Sequence, residues 1–135
     1  MAKATLHTDG GARGNPGPSG IGVVCDFEGQ QYLLKEYIGE GTNNQAEYRA
    51  VILGLEKCRE LGADEVDVFL DSELVKEQLS GNYKVKNADL GNLFVKVWNI
   101  SQGFKKVKYI HIYRTDNKLA DKLVNEAIDE AKTSW

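Results

Sequence analysis

Four acids in this chain stand where solubility does not call for a charge. Asp9 ends the strand-like run Lys3 to Asp9 and precedes Gly10-Gly11. Asp71 ends a second such run, Val66 to Asp71, and precedes Ser72. Glu47 heads a helical stripe through Val51, Gly54 and Cys58, and Asp121 heads another through Val124, Ile128 and Ala131. Any one of these acids alone would read as a turn former, a helix cap or a solvated helix-end charge. Together they point elsewhere, because clustered buried carboxylates repel one another unless a cation is present. Oxygen donors without His or Cys suit Mg²⁺ or Mn²⁺.

The surrounding pattern supplies elements that bring these acids together. Lys3 to Asp9, Ile21 to Phe27 and Gln30 to Ile38 read as three strands with short connections, hence antiparallel. The Gly/Pro-rich stretch 10–20 reads as an ordered loop. Thr42-x-x-Gln45 is a capping box that opens a helix to Leu61, and Gly62 stops it. A fourth strand spans Val66 to Asp71, helices follow at Glu73–Leu79 and Ala88–Gln102, and a fifth strand runs Lys106 to Arg114. Asn117 caps a last helix to about Lys132. This order predicts an α/β fold. Helix-separated strands are joined by parallel crossovers, giving a mixed sheet with helices on both faces. Sites in such sheets form outside the carboxyl ends of parallel strands, at Asp9 and Asp71.

A chain of 135 residues, 41% hydrophobic and 27% charged, is expected to be one globular domain, residues 1–135. No apolar run is long enough for a transmembrane helix. The start, Met1 to Thr5, has no apolar signal region. Cys25 and Cys58 are too few for a disulfide framework or Cys-rich zinc site, and read as buried thiols in a reducing compartment. The expected location is therefore cytoplasmic, with no membrane partner. The net charge of −3 argues against a generally basic nucleic-acid coat, but it is unevenly spread. Residues 1–75 carry 6 basic against 13 acidic residues, and residues 76–118 carry 9 against 3. An acidic site beside a basic surface is the expectation.

The acids sit in recognisable words. Thr8-Asp9-Gly10-Gly11 leads to Gly14-Asn15-Pro16-Gly17-Pro18, and Thr42-Asn43-Asn44-Gln45-Ala46-Glu47-Tyr48 opens the first helix. Asp71-Ser72-Glu73-Leu74-Val75, Tyr83-Lys84-Val85-Lys86-Asn87 and Arg114-x-x-Asn117-x-x-Ala120-Asp121 follow. From about Lys3 to Ala131 the chain resembles a type 1 ribonuclease H. The resemblance implies a five-stranded mixed sheet, its first three strands antiparallel and its first, fourth and fifth parallel. It implies endonucleolytic hydrolysis of the RNA strand of RNA/DNA hybrids, leaving 3′-hydroxyl and 5′-phosphate ends. It further implies two Mg²⁺ ions, with Mn²⁺ as a substitute, held by Asp9, Glu47, Asp71 and Asp121. Two divalent ions about 3.5–4 Å apart activate a water and stabilise the leaving oxygen.

RNA is told from DNA through its 2′-hydroxyl, which donates and accepts, and uncharged amides suit that task. Asn15, Asn43, Asn44 and Gln45 lie on the two loops beside Asp9 and Glu47, and match family residues facing the minor groove. Gly10 and Gly11 allow close backbone approach. Lys86 and Asn87, with Lys84 beside them, match a segment near the DNA strand and are expected at phosphate.

The chain also departs from much of the family. Only Ser80 to Lys84 stands where some members have a long basic insertion, so Lys105, Lys106 and Lys108 are candidates to strengthen the grip. The connection Arg114 to Asn117 lacks the loop histidine of many members, so Arg114 is expected to meet phosphate. His7 and His111 lie inside strands and read as packed. Glu73 replaces a common Gln. Trp98 reads as core, and Trp135 is no evident stacking platform. The closest likeness is to short microbial members, some of which attack double-stranded RNA, which is therefore a second candidate substrate. A monomer is expected. Three competing readings are a catalytically weak hybrid- or double-stranded-RNA-binding module, a DNA strand transferase or exonuclease on the same sheet, and a plain α/β domain. The four acids and the Thr-Asn-Asn-Gln word favour hybrid cleavage.

Overall fold

The computed structural model describes residues 2–133; Met1, Ser134 and Trp135 lie outside the described residues. Its strands are β1 (Lys3–Ala12), β2 (Gly17–Phe27), β3 (Gln30–Gly41), β4 (Glu65–Leu70) and β5 (Lys106–His111). Its helices are α1 (Asn43–Leu61), α2 (Glu73–Leu79), α3 (Ala88–Ser101) and α4 (Lys118–Thr133), with a 3-10 turn at Arg114–Asp116. The sheet order is β3-β2-β1-β4-β5. β2 pairs antiparallel with β1 and β3, while β1–β4 and β4–β5 are parallel, the arrangement expected above. Glu28 and Gly29, both at positive φ, make the two-residue turn whose twist suits a β2–β3 hairpin.

The main core lies between the sheet and α1. Leu6, Val23, Val66, Val68 and Leu70 meet Val51, Leu55 and Cys58 there. On the opposite face, α4 covers β2 and β3, and Val24, Ala120 and Leu123 form a second, smaller cluster. Two glycines set how closely these helices approach. A Cβ on Gly10 would overlap the backbone of Ala46 and Glu47, so bare backbone lets β1 lie against the first turns of α1. A Cβ on Gly22 would strike the Ala120 carbonyl and the Leu123 side chain, so β2 seats α4 in the same way.

Local signals placed α1 and α2 closely. Thr42 Oγ1 accepts from the Gln45 amide at 3.1 Å, and Gln45 Oε1 accepts from the Thr42 amide at 2.9 Å, closing the capping box. Gly62 ends α1 in the left-handed conformation. The buried Tyr48 hydroxyl donates to Gln78 Oε1 at 2.7 Å and ties α1 to α2.

Several expectations change. β1 does not end at Asp9: its parallel pairing with β4 stops at Thr8 and Leu70, but its antiparallel pairing with β2 continues to Ala12 and Ser19. Much of stretch 10–20 is therefore strand rather than loop. β5 stops at His111, leaving Arg114 in the 3-10 turn. His111 is exposed, with its ring edge-on to Tyr113, because β5 is a sheet edge. Trp98 is 56% exposed, and only the inward face of α3 (Leu90, Val97, Ile100) is buried. His7 is half-buried and stacked on Phe69, as a packed residue should be. Cys25 and Cys58 are buried free thiols 3.9 Å apart.

Candidate active site

The parallel ladder between β1 and β4 ends at Thr8 and Leu70, and the next residues are Asp9 and Asp71. Neighbouring strands lie about 4.8 Å apart, so their common carboxyl end must bring these acids together. Glu47 enters from α1, held against Gly10 by the close backbone approach. Carboxylate oxygens of Asp9, Glu47 and Asp71 all lie within 4.8 Å of one another. Asp121 comes from the first turn of α4. It lines the same cavity, of about 310 Å³, and its carboxylate stands 3.7 Å from Arg114 Nη2.

Electrostatics within this group are unfavourable. Burial, then the charge of Asp71, pushes the Asp9 carboxyl up to about 7. Burial, then the charges of Asp9 and Asp71, raises Glu47 well above the usual carboxylate range. Glu47 Oε2 is buried with no hydrogen-bond partner among the described residues. The Gly10 amide donates to Asp9 Oδ1 at 3.0 Å. An all-oxygen group with one buried orphan oxygen fits a hard divalent ion. The ion would remove the repulsion that raises these carboxyls.

The expected substrate residues fall into two sets. Gly10, Gly11, Asn43 and Arg114 line the cavity with the acids. Asn15 is at its margin: its Oδ1 accepts from the Asn43 amide at 3.0 Å, and Asn43 Oδ1 accepts from the Ala12 amide at 2.8 Å. The two amides thus lace the β1–β2 turn to the start of α1. Asn44 is half-buried in the first turn of α1. Gln45 spends its carbonyl oxygen on the capping box and borders a different cavity, between β3, α1 and α3. Lys86 is exposed and Asn87 caps α3, its Oδ1 accepting from Leu90 N at 3.1 Å. Neither lines the acid cavity.

Asn117 stands immediately before α4 as expected, its carbonyl accepting from the Asp121 amide at 3.1 Å, but its side chain turns elsewhere. It is 2% exposed, and its Nδ2 donates to the Thr8 carbonyl at 2.9 Å and to Asp71 Oδ2 at 3.0 Å. It fastens α4's entry to the end of β1 and orients one of the clustered acids. Its place in the Arg-x-x-Asn-x-x-Ala-Asp word was the only sequence signal for this. Arg13 also lines the cavity, and nothing in the sequence singled it out.

The family model that matches this chain, over residues 7–127, is described as reverse transcriptase-like. The chain is 44% identical over 135 residues to a bifunctional protein of Mycobacterium tuberculosis, covering 98% of this chain but 37% of that one. The chain therefore spans little more than a third of that relative. It is 30% identical to a ribonuclease H of Legionella pneumophila, covering 95% of this chain and 98% of the relative. Among solved structures, LC11-RNase H1 in complex with RNA/DNA hybrid superposes with a TM-score of 0.89 at 47% identity, over 95% of this chain and 98% of that one.

Proposed function

The chain belongs to the type 1 ribonuclease H family, and from that premise we propose that it hydrolyses the RNA strand of RNA/DNA hybrids. The observation that carries the proposal is the meeting of Asp9, Glu47 and Asp71 at the carboxyl end of β1 and β4, with a buried carboxylate oxygen left unpaired. Divalent-metal dependence follows from family and acids together. Asp9, Glu47, Asp71 and Asp121 are the proposed ligands, two Mg²⁺ the proposed ions and Mn²⁺ the proposed substitute. Ions held by these residues would supply an activated water and charge neutralisation at the leaving 3′ oxygen, and the proposed products are 3′-hydroxyl and 5′-phosphate ends.

The protein's own groups do the positioning. Asn117 orients the Asp71 carboxylate, and the Gly10 amide orients Asp9. Gly10 and Gly11 line the cavity beside the acids and are proposed as backbone contacts to the substrate. Asn15, Asn43, Asn44 and Gln45 are proposed to read the minor groove and its 2′-hydroxyls. Lys86 and Asn87 are proposed at the DNA strand, and Arg114 at a phosphate beside Asp121. Double-stranded RNA as a second substrate, a single catalytic domain over residues 1–135, a monomeric state and a cytoplasmic setting belong to the same proposal.

The test is cleavage of a labelled hybrid with Mg²⁺ and with Mn²⁺, alongside duplex DNA and double-stranded RNA. The expected result is RNA-strand cutting in the hybrid, no cut in duplex DNA, and a loss of roughly 10³-fold or more in Asp9→Asn. Hybrid binding without cutting by the wild type would replace this reading with a binding module.

A further inference from the structure

Charge at the cavity leaves a question that the acids do not answer. Asp9, Glu47, Asp71 and Asp121 are all acceptors, and two divalent ions would do no more than balance them. Further attraction for a polyanionic strand must come from cations in the walls. Among the residues lining this cavity, the cationic ones are Arg114 and Arg13. Arg114 follows β5, on the far side of β4 from β1, whereas Arg13 follows β1 where that strand pairs with β2. They flank the acids.

Arg13 is held in place. Its amide donates to the Pro18 carbonyl at 2.8 Å. Its Nη1 donates to Asp129 Oδ1 at 2.6 Å and its Nη2 to Asn125 Oδ1 at 3.2 Å, with the side chain 34% exposed. Asp121, Asn125 and Asp129 follow one another at spacings of four on α4, so they form one row leading away from the acids. That row places Arg13 roughly 6–12 Å along the helix from Asp121. That separation is enough for Arg13 to meet a phosphate other than the one at the acids.

We propose that Arg13 is a substrate-binding residue that takes a backbone phosphate of the cleaved strand away from the bond cut. The proposal rests on the hybrid-cleavage reading and deepens it. A planar guanidinium can keep one N–H on Asn125 while another turns to phosphate. Asp129, with its side chain 64% exposed, occupies the anion's place in the free protein. A solvent-exposed pair of this kind exchanges at little cost.

The test compares wild type, Arg13→Ala, Arg13→Lys and Asp129→Asn in hybrid cleavage and direct hybrid binding across a salt series. Arg13→Ala should raise KM roughly tenfold, reduce the slope of log affinity against log salt by about 1, and keep kcat at saturating hybrid. Arg13→Lys should restore the salt slope but not the full affinity. Asp129→Asn should tighten binding, because the competing carboxylate is gone. Wild-type KM and salt slope in Arg13→Ala, whatever its thermal stability, would overturn the proposal. So would weakening in Asp129→Asn equal to that in Arg13→Ala, which would make the pair a strut. If the wild type cuts no hybrid, the functional reading above fails instead, and the binding series still reports on Arg13.

Discussion

Asp9 and Glu47 keep protons that ordinary carboxyls would have released. Asp9 moves from an ordinary 3.8 to about 7, and Glu47 moves in the same direction. The folded chain therefore holds a proton that the unfolded chain has lost across that window, so this site erodes stability as pH rises from about 4 to about 7. A bound divalent ion takes the proton's place and stabilises only the native arrangement. In chelator, the wild type should lose thermal stability relative to Asp9→Asn over that pH range, and Mg²⁺ should shrink the difference. A wild type that gains on Asp9→Asn as pH rises would contradict the burial and repulsion described here. Asn117 offers a second residue-scale test. Its removal takes a buried donor away from the Thr8 carbonyl and from an Asp71 oxygen. Asn117→Ala should cost about 1–3 kcal/mol in denaturant unfolding. It should also lower cleavage by roughly 10–100-fold and raise the Mg²⁺ concentration for half-maximal activity.

At the scale of elements, the site depends on two helices seated on glycine. Gly22 sits under α4, which delivers Asp121, as Gly10 sits under the start of α1, which delivers Glu47. Gly22→Ala must push α4 away from the sheet, at a cost of about 1–3 kcal/mol or more, and should weaken cleavage with it. Gly91 supplies the opposite case. It lies inside α3, and a Cβ there meets nothing within 4 Å. Gly91→Ala should stabilise the protein by about 0.5–1 kcal/mol, with cleavage unchanged. Denaturant midpoints of the two variants, moving in opposite directions, check the seating of α4.

At the scale of the whole molecule, the basic residues of segment 76–118 do not all serve one surface. Lys106 begins β5, roughly 16 Å of strand before its carboxyl end, and so belongs to the end of the sheet away from the acids. Lys106 and Lys108 are exposed on an edge strand, where lysine discourages pairing with another chain. Lys84 and Lys86 lie instead on the exposed connection between α2 and α3. The double variant Lys84→Ala/Lys86→Ala should reduce the salt slope of hybrid binding by between about 1 and 2. Lys106→Ala/Lys108→Ala should leave it unchanged, contrary to the sequence-based candidacy of these lysines for grip.

Much of this molecule was legible in one dimension. The Thr42–Gln45 box, the Gly62 stop and the bounds of α2 are set by neighbours a few residues apart, so local reading placed them well. The four acids were visible because each sat on an apolar stripe or at a strand end. Strand directions followed from connection lengths, and the placement of β4 beside β1 from the family resemblance. Other features needed partners that the chain hides. The continuation of β1 through Gly10 to Ala12 comes from pairing with β2, since a glycine-rich word has little strand propensity of its own. Exposure of Trp98 and His111 depended on whether another element covers their faces, which periodicity does not say. Asn117 meets Asp71 across 46 residues and Arg13 meets Asp129 across 116. Element type and order are short-range properties and are written along the chain, whereas burial, charge coupling and side-chain pairing depend on what stands opposite in space, which only the packed sheet and helices decide.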